Sequence, residues 1–573
     1  MPPQELSMSL GTFDRHDNLA RLGDGTFDVL VIGGGITGVG VALDAASRGL
    51  SVALVERDDF AAGTSSKSSK LVHGGLRYLQ NGDVRLVYEA LRERQRLLRN
   101  APHLVQVLPF LIPVFTGSGG VIPRGLARAL GSAMWMYDLT GGLRIGKLHK
   151  RLRRDAALAH MPTLNDRLAW AYLYYDAQAD DARLTLTVAR TAALDYGATV
   201  VNHAAVVGVR HSGGRVDGVL VDAGDAQVEV RARVVVNATG VWADEVRALD
   251  EGDHPRTIRP AKGIHVTVPW EKVRNDIAAV VPVPSDKRSI FVVPWPGPSG
   301  TVGEGGYTYI GTTDTDYDGD VDDPQITPED VAYLLEAMNR SLRSPLSESD
   351  VLGTWAGLRP LVRDANSART ADLSRRHRVV ASNSGMITVT GGKLTTYREM
   401  AEDTVDAAVA QLGDRVERRA RRCRTARLPL RGAEGWQDVA DTDPHLARRY
   451  GGEARVVQAM VDAEPALGEP LVPGLPYRRA EAVYAARYEM ATTLADVLAR
   501  RTRATLLGRD AVAAAADDVA ALVGDELGWS AEERAAQVAQ LRDVLARERA
   551  AGGLPETLPL ITGAHPTGPE VKA

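Results

Sequence analysis

The sequence predicts an α/β fold that carries a separate α-helical C-terminal domain, and three observations predict it. Residues 27–60, FDVLVIGGGITGVGVALDAASRGLSVALVERDDF, pass from an apolar stretch of strand length through a glycine turn and helix-period small residues into a second apolar strand. Residues 232–244, ARVVVNATGVWAD, form another apolar strand ending in an Asn-Ala-Thr-Gly turn. From about Leu428 the composition becomes helical, with helix-period alternation in AEAVYAARYEMATTLADVLARRTRATLL. At 573 residues the chain exceeds one hydrophobic core, so domains interleaved in sequence are expected.

Charge and cysteine usage exclude several classes. The net charge is −5, from 68 Lys+Arg against 73 Asp+Glu, which argues against a chain built to neutralise nucleic-acid phosphates. A single cysteine, Cys423, excludes an internal disulfide framework, a thiolate metal cluster and a dithiol redox pair. It fits a reducing, cytoplasmic setting. The first 26 residues carry charges throughout and read as a flexible arm rather than a secretory signal. No apolar run reaches the roughly 18 residues of a spanning helix. VLPFLIPVF at 107–115, the nearest candidate, is short and interrupted by prolines.

The first βαβ unit contains Gly33-x-Gly35-x-x-Gly38 and closes on Glu56. Gly33 permits the tight turn, Gly35 lets a pyrophosphate approach the backbone, and Gly38 lets the helix pack on the sheet. Glu56 is placed to accept hydrogen bonds from ribose hydroxyls. This much is a dinucleotide site, with FAD and NAD both open. The hydroxyl-rich stretch that follows, with Thr64, Ser65, Ser66, Ser68 and Ser69, is placed to line the remaining phosphates and ring of an extended cofactor. The returning strand brings Ala238 and Gly240 to the same cofactor, where glycine allows close passage of the backbone. There is no second GxGxxG, so a separate nicotinamide domain is not expected.

Residues 256–350 mix short strands (IHVTVPW, SIFVVPW, YTYIGTTDTD) with turn-rich loops and read as a sheet-based substrate domain. ITVTGGKLTTYREMAEDTVDAAVAQL is a strand, a turn on Gly391 and Gly392, and a long amphipathic helix. The start of that helix, with Leu394 and Thr395, is available to the cofactor. The resulting architecture is a two-segment FAD-binding, Rossmann-like domain over 27–415 (mainly 27–105, 178–255 and 351–415). A substrate domain (about 106–177 and 256–350) is interleaved with it. A basic linker at 416–427, a helical domain at 428–555 and a tail at 556–573 complete the chain.

TSSKSSKLVHGGLRYL, NATGVWAD, KGIHVTV, YIGTTDTD, WAGLRPL and GGKLTTYREMAE resemble the successive signatures of the FAD-dependent glycerol-3-phosphate dehydrogenases, the aerobic bacterial and mitochondrial respiratory enzymes. The resemblance runs from about Asp28 to Gln411 and continues more weakly through EMATTLADVLARRTR. It implies oxidation of sn-glycerol 3-phosphate to dihydroxyacetone phosphate, with hydride passing from C2 to flavin N5 and electrons then to membrane quinone. It also implies a homodimer held peripherally on the inner face of the cytoplasmic membrane.

A phosphate ester needs guanidinium groups in forked geometry, and Arg359, Arg375 and Arg77 with Tyr78 are the candidates. A base is needed for the C2 hydroxyl proton, and His73 and His265 fit. Lys393 is placed to stabilise negative charge on the reduced flavin or to hold substrate. LARALGSAMWMYDL followed by LRIGKLHKRLRR, with Trp135, Tyr137 and a basic run free of acids, is the expected contact with an anionic membrane surface.

Three other readings stand beside this one: an oxidase passing electrons to oxygen, an amine oxidase of the glycine-oxidase type, and a non-catalytic flavin-binding redox sensor. The amine oxidase needs no phosphate cluster. The sensor needs none of His73, His265, Arg359 and Lys393.

Overall fold

The structure, a computed structural model, describes residues 13–75, 84–115, 135, 137–138, 146–224, 226–252, 256–283, 288–363, 376–414, 418, 420–439 and 442–557. Strand Thr26–Ile32 is the pivot of the first sheet. It pairs in parallel with Val52–Val55 on one side and with Gln227–Asn237 on the other. Ile387–Thr390 and Thr199–Val201 extend the sheet in parallel, and Arg378–Ala381 adds an antiparallel edge. Val29 to Ile32 are all buried because helices cover both faces of a parallel sheet. Helix Ile36–Ser47 lies against helix Tyr397–Leu412. Gly40 is required there, since a Cβ on it would come 2.8 Å from the Tyr397 ring. The strand register sets Ile32 beside Val55 and Asn237, so the turns that follow open on one carboxyl edge at the switch point of the sheet.

The second sheet is mostly antiparallel. It runs from Thr315–Asp316 through Ile258–Pro269, Tyr307–Gly311, Arg288–Trp295, Ala278–Val283, Gln106–Phe115 and Leu168–Gln178 to Leu71–Val72. The hydroxyl-rich loop 64–70 is the passage from the first sheet to the second. The proline-broken segment 107–115 is a strand here, paired along its length with Leu168–Gln178. Among the described residues no helix is long and apolar enough to cross a membrane.

Several sequence expectations are corrected. Strand Gly353–Val362, assigned by sequence to the cofactor domain, pairs along its whole length with Ile258–Pro269 in the second sheet. Residues 13–26 are not a free arm: helix Arg15–Leu22 is capped by Asp14, buries Leu22, and sends the Arg15 guanidinium to the carbonyls of Asn202, His203 and Ala223. The basic linker packs down, with Thr425 Oγ1 donating to Asp44 at 3.0 Å and Arg421 N to the Arg48 carbonyl at 2.9 Å. The tail begins anchored, since Thr557 is buried and donates through N and Oγ1 to Asp510. The helical run at 480–507 breaks after Arg479–Tyr488. Met490 takes a left-handed φ of 57°, and Asp496 accepts from the N–H groups of Thr492 and Thr493 before a π-helical turn, Asp496–Arg501.

The helical domain grips the cofactor loop through buried ion pairs. Arg501 forks onto Asp59 at 2.5 and 2.8 Å, and Arg503 donates to the Ser66 carbonyl and, at 3.4 Å, to Asp181.

Candidate active site

A cleft of about 370 Å³ opens along the carboxyl edge of the first sheet. Its floor is the glycine turn. Gly33 has φ +112° and lies so close to Ala238 that a Cβ would meet the Ala238 carbonyl at 2.8 Å, and a Cβ on Gly38 would sit 1.9 Å from the Gly33 carbonyl. Gly35 precedes the N-terminus of helix Ile36–Ser47, where Ser65 Oγ accepts from Ile36 N at 2.9 Å. Glu56 directly follows the second strand and accepts from Gly34 N at 2.5 Å and Asp58 N at 2.9 Å. Desolvation raises its pKa against the pull of those two N–H groups. Thr64, Ala238, Gly240, Gly391, Gly392 and Leu394 complete the lining. Gly240 has φ +64° and open space where a Cβ would stand.

These residues fit FAD: a helix N-terminus and glycine turn for the pyrophosphate, a carboxylate for the ribose, and close backbone on the far side. Ser66, Ser68, Ser69 and Thr395 fall outside this cleft. Ser68 Oγ donates to Asp181 at 2.7 Å and Ser66 Oγ to the Gly63 carbonyl at 3.4 Å, so their hydroxyls hold the loop's shape rather than the cofactor.

A second cavity of about 180 Å³ shares Thr64, Pro360 and residues 392–394 with the cleft and is also lined by Ser69, His73, His265, Arg359 and Thr395. The two sheets bring these groups together from four distant segments. His265 sits opposite Trp355 in the strand register and stacks on it, 4.6 Å between centroids and 8° between planes. Its Nε2 pairs with Ser69 Oγ at 2.9 Å, and its buried Nδ1 has no hydrogen-bond partner among the described residues. Burial lowers its pKa well below the ordinary 6.5, and the charges of Lys70 and Arg359 add to the effect, so the ring is neutral at pH 7. Lys70 itself is pushed down to about 8 by burial, opposed by its partner Asp181.

Arg359 lies over Gly263, where a Cβ would collide with the guanidinium at 2.4 Å. It donates to Asp314 at 3.2 Å, Thr312 Oγ1 at 3.2 Å and the Thr313 carbonyl at 3.1 Å. His73 is fixed at its backbone, its N–H donating to Thr395 Oγ1 at 3.1 Å, and its ring meets Phe291 edge-on at 6.0 Å. Arg77, Tyr78 and Arg375 lie outside the described residues. The sequence reading did not single out Thr312, Asp314, Asp181 or Trp355. The run of threonines and aspartates in YIGTTDTD was the signal for the first two.

The family described as "FAD dependent oxidoreductase" matches residues 28–398, and "C-terminal domain of alpha-glycerophosphate oxidase" matches residues 423–534. The chain is 41% identical over 550 residues to glycerol-3-phosphate dehydrogenase 2 of Mycobacterium tuberculosis, covering 93% of this chain and 90% of that one. The chain belongs to the FAD-dependent glycerol-3-phosphate dehydrogenase family. The human mitochondrial glycerol-3-phosphate dehydrogenase is 39% identical over 556 residues, covering 91% of this chain and 73% of that protein. The crystal structure of a Bacillus halodurans glycerol-3-phosphate dehydrogenase complexed with FAD superposes with a TM-score of 0.71 at 30% identity, over 93% of this chain and 97% of that one. The glycerol-3-phosphate dehydrogenase fold thus accounts for both sheets and the helical domain, and FAD is the cofactor of the family to which the first cleft belongs.

Proposed function

We propose that this family member oxidises sn-glycerol 3-phosphate to dihydroxyacetone phosphate and passes the electrons to membrane quinone. The observation that carries the reading is the smaller cavity, in which a neutral histidine, whose Nδ1 has no partner among the described residues, lines the same small volume as an arginine and a lysine, against the cofactor cleft. FAD, when bound, accepts the hydride of the substrate C2.

The chain's own residues do the rest. Arg359, oriented by Asp314, Thr312 and Thr313, offers a guanidinium to the anionic substrate, and Lys393 adds a second cation lining the same cavity. His265 takes the C2 hydroxyl proton. Its lowered pKa keeps it in the accepting form, and the substrate's negative charge offsets the Lys70 and Arg359 fields that oppose protonation. Arg77, Tyr78 and Arg375 complete the proposed phosphate site. Ser69 Oγ, bonded to Nε2, fixes the ring.

We place the protein as a homodimer in the cytoplasm, resting on the inner face of the membrane. Trp135 is 58% exposed and stands edge-on to His149, beside exposed Leu148 and the basic side chains Lys147, Lys150, Arg151 and Arg153, which supports an interfacial patch. The basic run contributes an edge strand, Lys150–Arg153. Tyr137 is no part of the patch: it is buried, with its hydroxyl on Asp176 at 2.7 Å.

The test is an anaerobic spectrum of the yellow holoenzyme, adding glycerol 3-phosphate and then a soluble quinone. Bleaching followed by recovery is expected. Bleaching by glycine instead would overturn the substrate.

A further inference from the structure

Two costs meet at Lys70. Its backbone stands at φ +55°, a left-handed conformation that a side chain disfavours, and its ammonium is buried, with the residue 2% exposed. Neither cost serves the substrate by contact, because Lys70 does not line the substrate cavity. It borders a separate cavity of about 340 Å³ between the second sheet and the helical domain. Backbone strain of this kind persists only where the surroundings over-determine it, and it gathers at working sites.

The turn at Lys70 sends neighbouring side chains to different partners. Ser69 Oγ pairs with His265 Nε2 at 2.9 Å, while the Lys70 ammonium donates to Asp181 at 3.2 Å and to the Ser66 carbonyl at 3.3 Å. The ammonium also stands 4.5 Å from the centroid of the Trp355 ring, and that ring stacks on His265. Trp355 thus touches both the buried charge and the ring assigned to take the proton. The arrangement is braced: Trp355 Nε1 donates to the Ser68 carbonyl at 3.2 Å, and Tyr309 Oη donates to the Ser69 carbonyl at 3.0 Å. Asp181 accepts from Ser68 N and Oγ as well as from Lys70. We infer that Lys70 is a positioning residue for His265, acting through Trp355 without touching substrate, whose buried charge keeps the ring in the neutral form that accepts the C2 hydroxyl proton. The inference rests on the reading of His265 as the base.

The charges round this unit set the sign of the effect. On the His265 side, Arg359 comes from strand Gly353–Val362, and Lys393 and His73 line the same cavity. On the Lys70 side stand Asp180 and Asp181 at the start of helix Asp181–Leu194, and Arg503 from the helical domain. Burial lowers the Lys70 pKa to about 8; Asp181 opposes this, Arg503 adds to it and Asp180 opposes it, so the ammonium is charged at pH 7. A like charge in a buried setting disfavours a second one. Burial first, then Lys70, then Arg359 lower the pKa of His265. Removing the Lys70 charge therefore raises that pKa, and the acid limit of proton abstraction moves to higher pH.

The experiment follows single-turnover bleaching of the holoenzyme by subsaturating glycerol 3-phosphate across the acid range. Lys70→Met removes the charge and its hydrogen bonds, Lys70→Gln removes the charge but can still donate to Asp181, and Lys70→Arg keeps the charge. In both neutral variants the acid limb is expected to move up by about one pH unit, which makes bleaching about fivefold slower at the wild-type midpoint. In Lys70→Arg the limb is expected to stay where wild type has it. A purely structural role would slow bleaching equally at every pH and leave the limb in place. A limb unmoved in Lys70→Gln overturns the inference, and so does a limb that moves as far in Lys70→Arg as in the neutral variants. Loss of FAD from Lys70→Gln would make Lys70 a brace for the fold alone and overturns it too. His265→Gln separates the two readings. If the limb survives that change, the base lies elsewhere and the inference falls with it; if His265→Gln abolishes the limb while the neutral Lys70 variants leave it in place, the inference falls alone.

Discussion

Arg359 is held by three acceptors on the 312–314 turn, so its guanidinium is oriented before substrate arrives. A lysine reproduces the charge but not the fork. Arg359→Lys should keep FAD bound and lower kcat/KM by about 30- to 1000-fold, roughly 2–4 kcal/mol; unchanged kcat/KM would remove Arg359 from the pocket. For His265 the working form is the neutral ring, present above its pKa. Because burial, Lys70 and Arg359 lower that pKa, kcat/KM for the free enzyme should hold as the pH falls past 6.5 and decline only further down. His265→Gln should slow single-turnover bleaching by about 100-fold and abolish this acid limb, with substrate binding retained. If His73→Gln does so instead, the base is the residue fixed by Thr395.

At the scale of elements, the loop 64–70 decides whether the two cavities exist, because it carries Ser65 to the helix N-terminus and Ser69 to His265. The helical domain keeps this loop in place through Arg503 and through the Arg501 fork on Asp59. Breaking a buried pair by removing one partner is costly, since the other charge stays buried. Asp59 retains Arg500 and Asn202, so Arg501→Met should cost about 3 kcal/mol, the low end of that range. The readouts are chemical denaturation of the holoenzyme and a weaker FAD titration. An unchanged FAD affinity would make the helical domain a bystander to the cofactor.

At the scale of the whole molecule, the protein's net charge of −5 opposes binding to an anionic surface, so attachment must come from a local patch. Lys147, Lys150, Arg151 and Arg153 lie near exposed Trp135 and Leu148, and each basic residue contributes on the order of 1 kcal/mol at an anionic membrane. Co-sedimentation with anionic vesicles should therefore be strong at low salt, weak at high salt, and lost when these four are changed to glutamine. Equal sedimentation of both proteins at low salt would move the contact to another face.

The sequence by itself determined what depends on neighbouring residues: the βαβ unit, the need for glycine at 33 and 38, the carboxylate at 56, and strands such as 387–390 with the turn after them. Glycine spacing and apolar periodicity report local backbone geometry, and local geometry needs no partner. The motifs also singled out His73, His265, Arg359 and Lys393, which the fold gathers round one cavity. Only the tertiary structure decided who their partners are. Asp314 orients Arg359, Trp355 stacks on His265, and Asp181 draws Ser68 away from the cofactor while pairing with Lys70, because these contacts join residues tens to hundreds of positions apart. Strand 353–362 lies in the second sheet because Ile258–Pro269 offers it a ladder, a preference that its own composition does not encode. The break after residue 488 arose the same way: the periodicity continues, but Asp496 captures backbone N–H groups, and the buried arginines that follow turn to meet Asp59 and Asp181 in another domain.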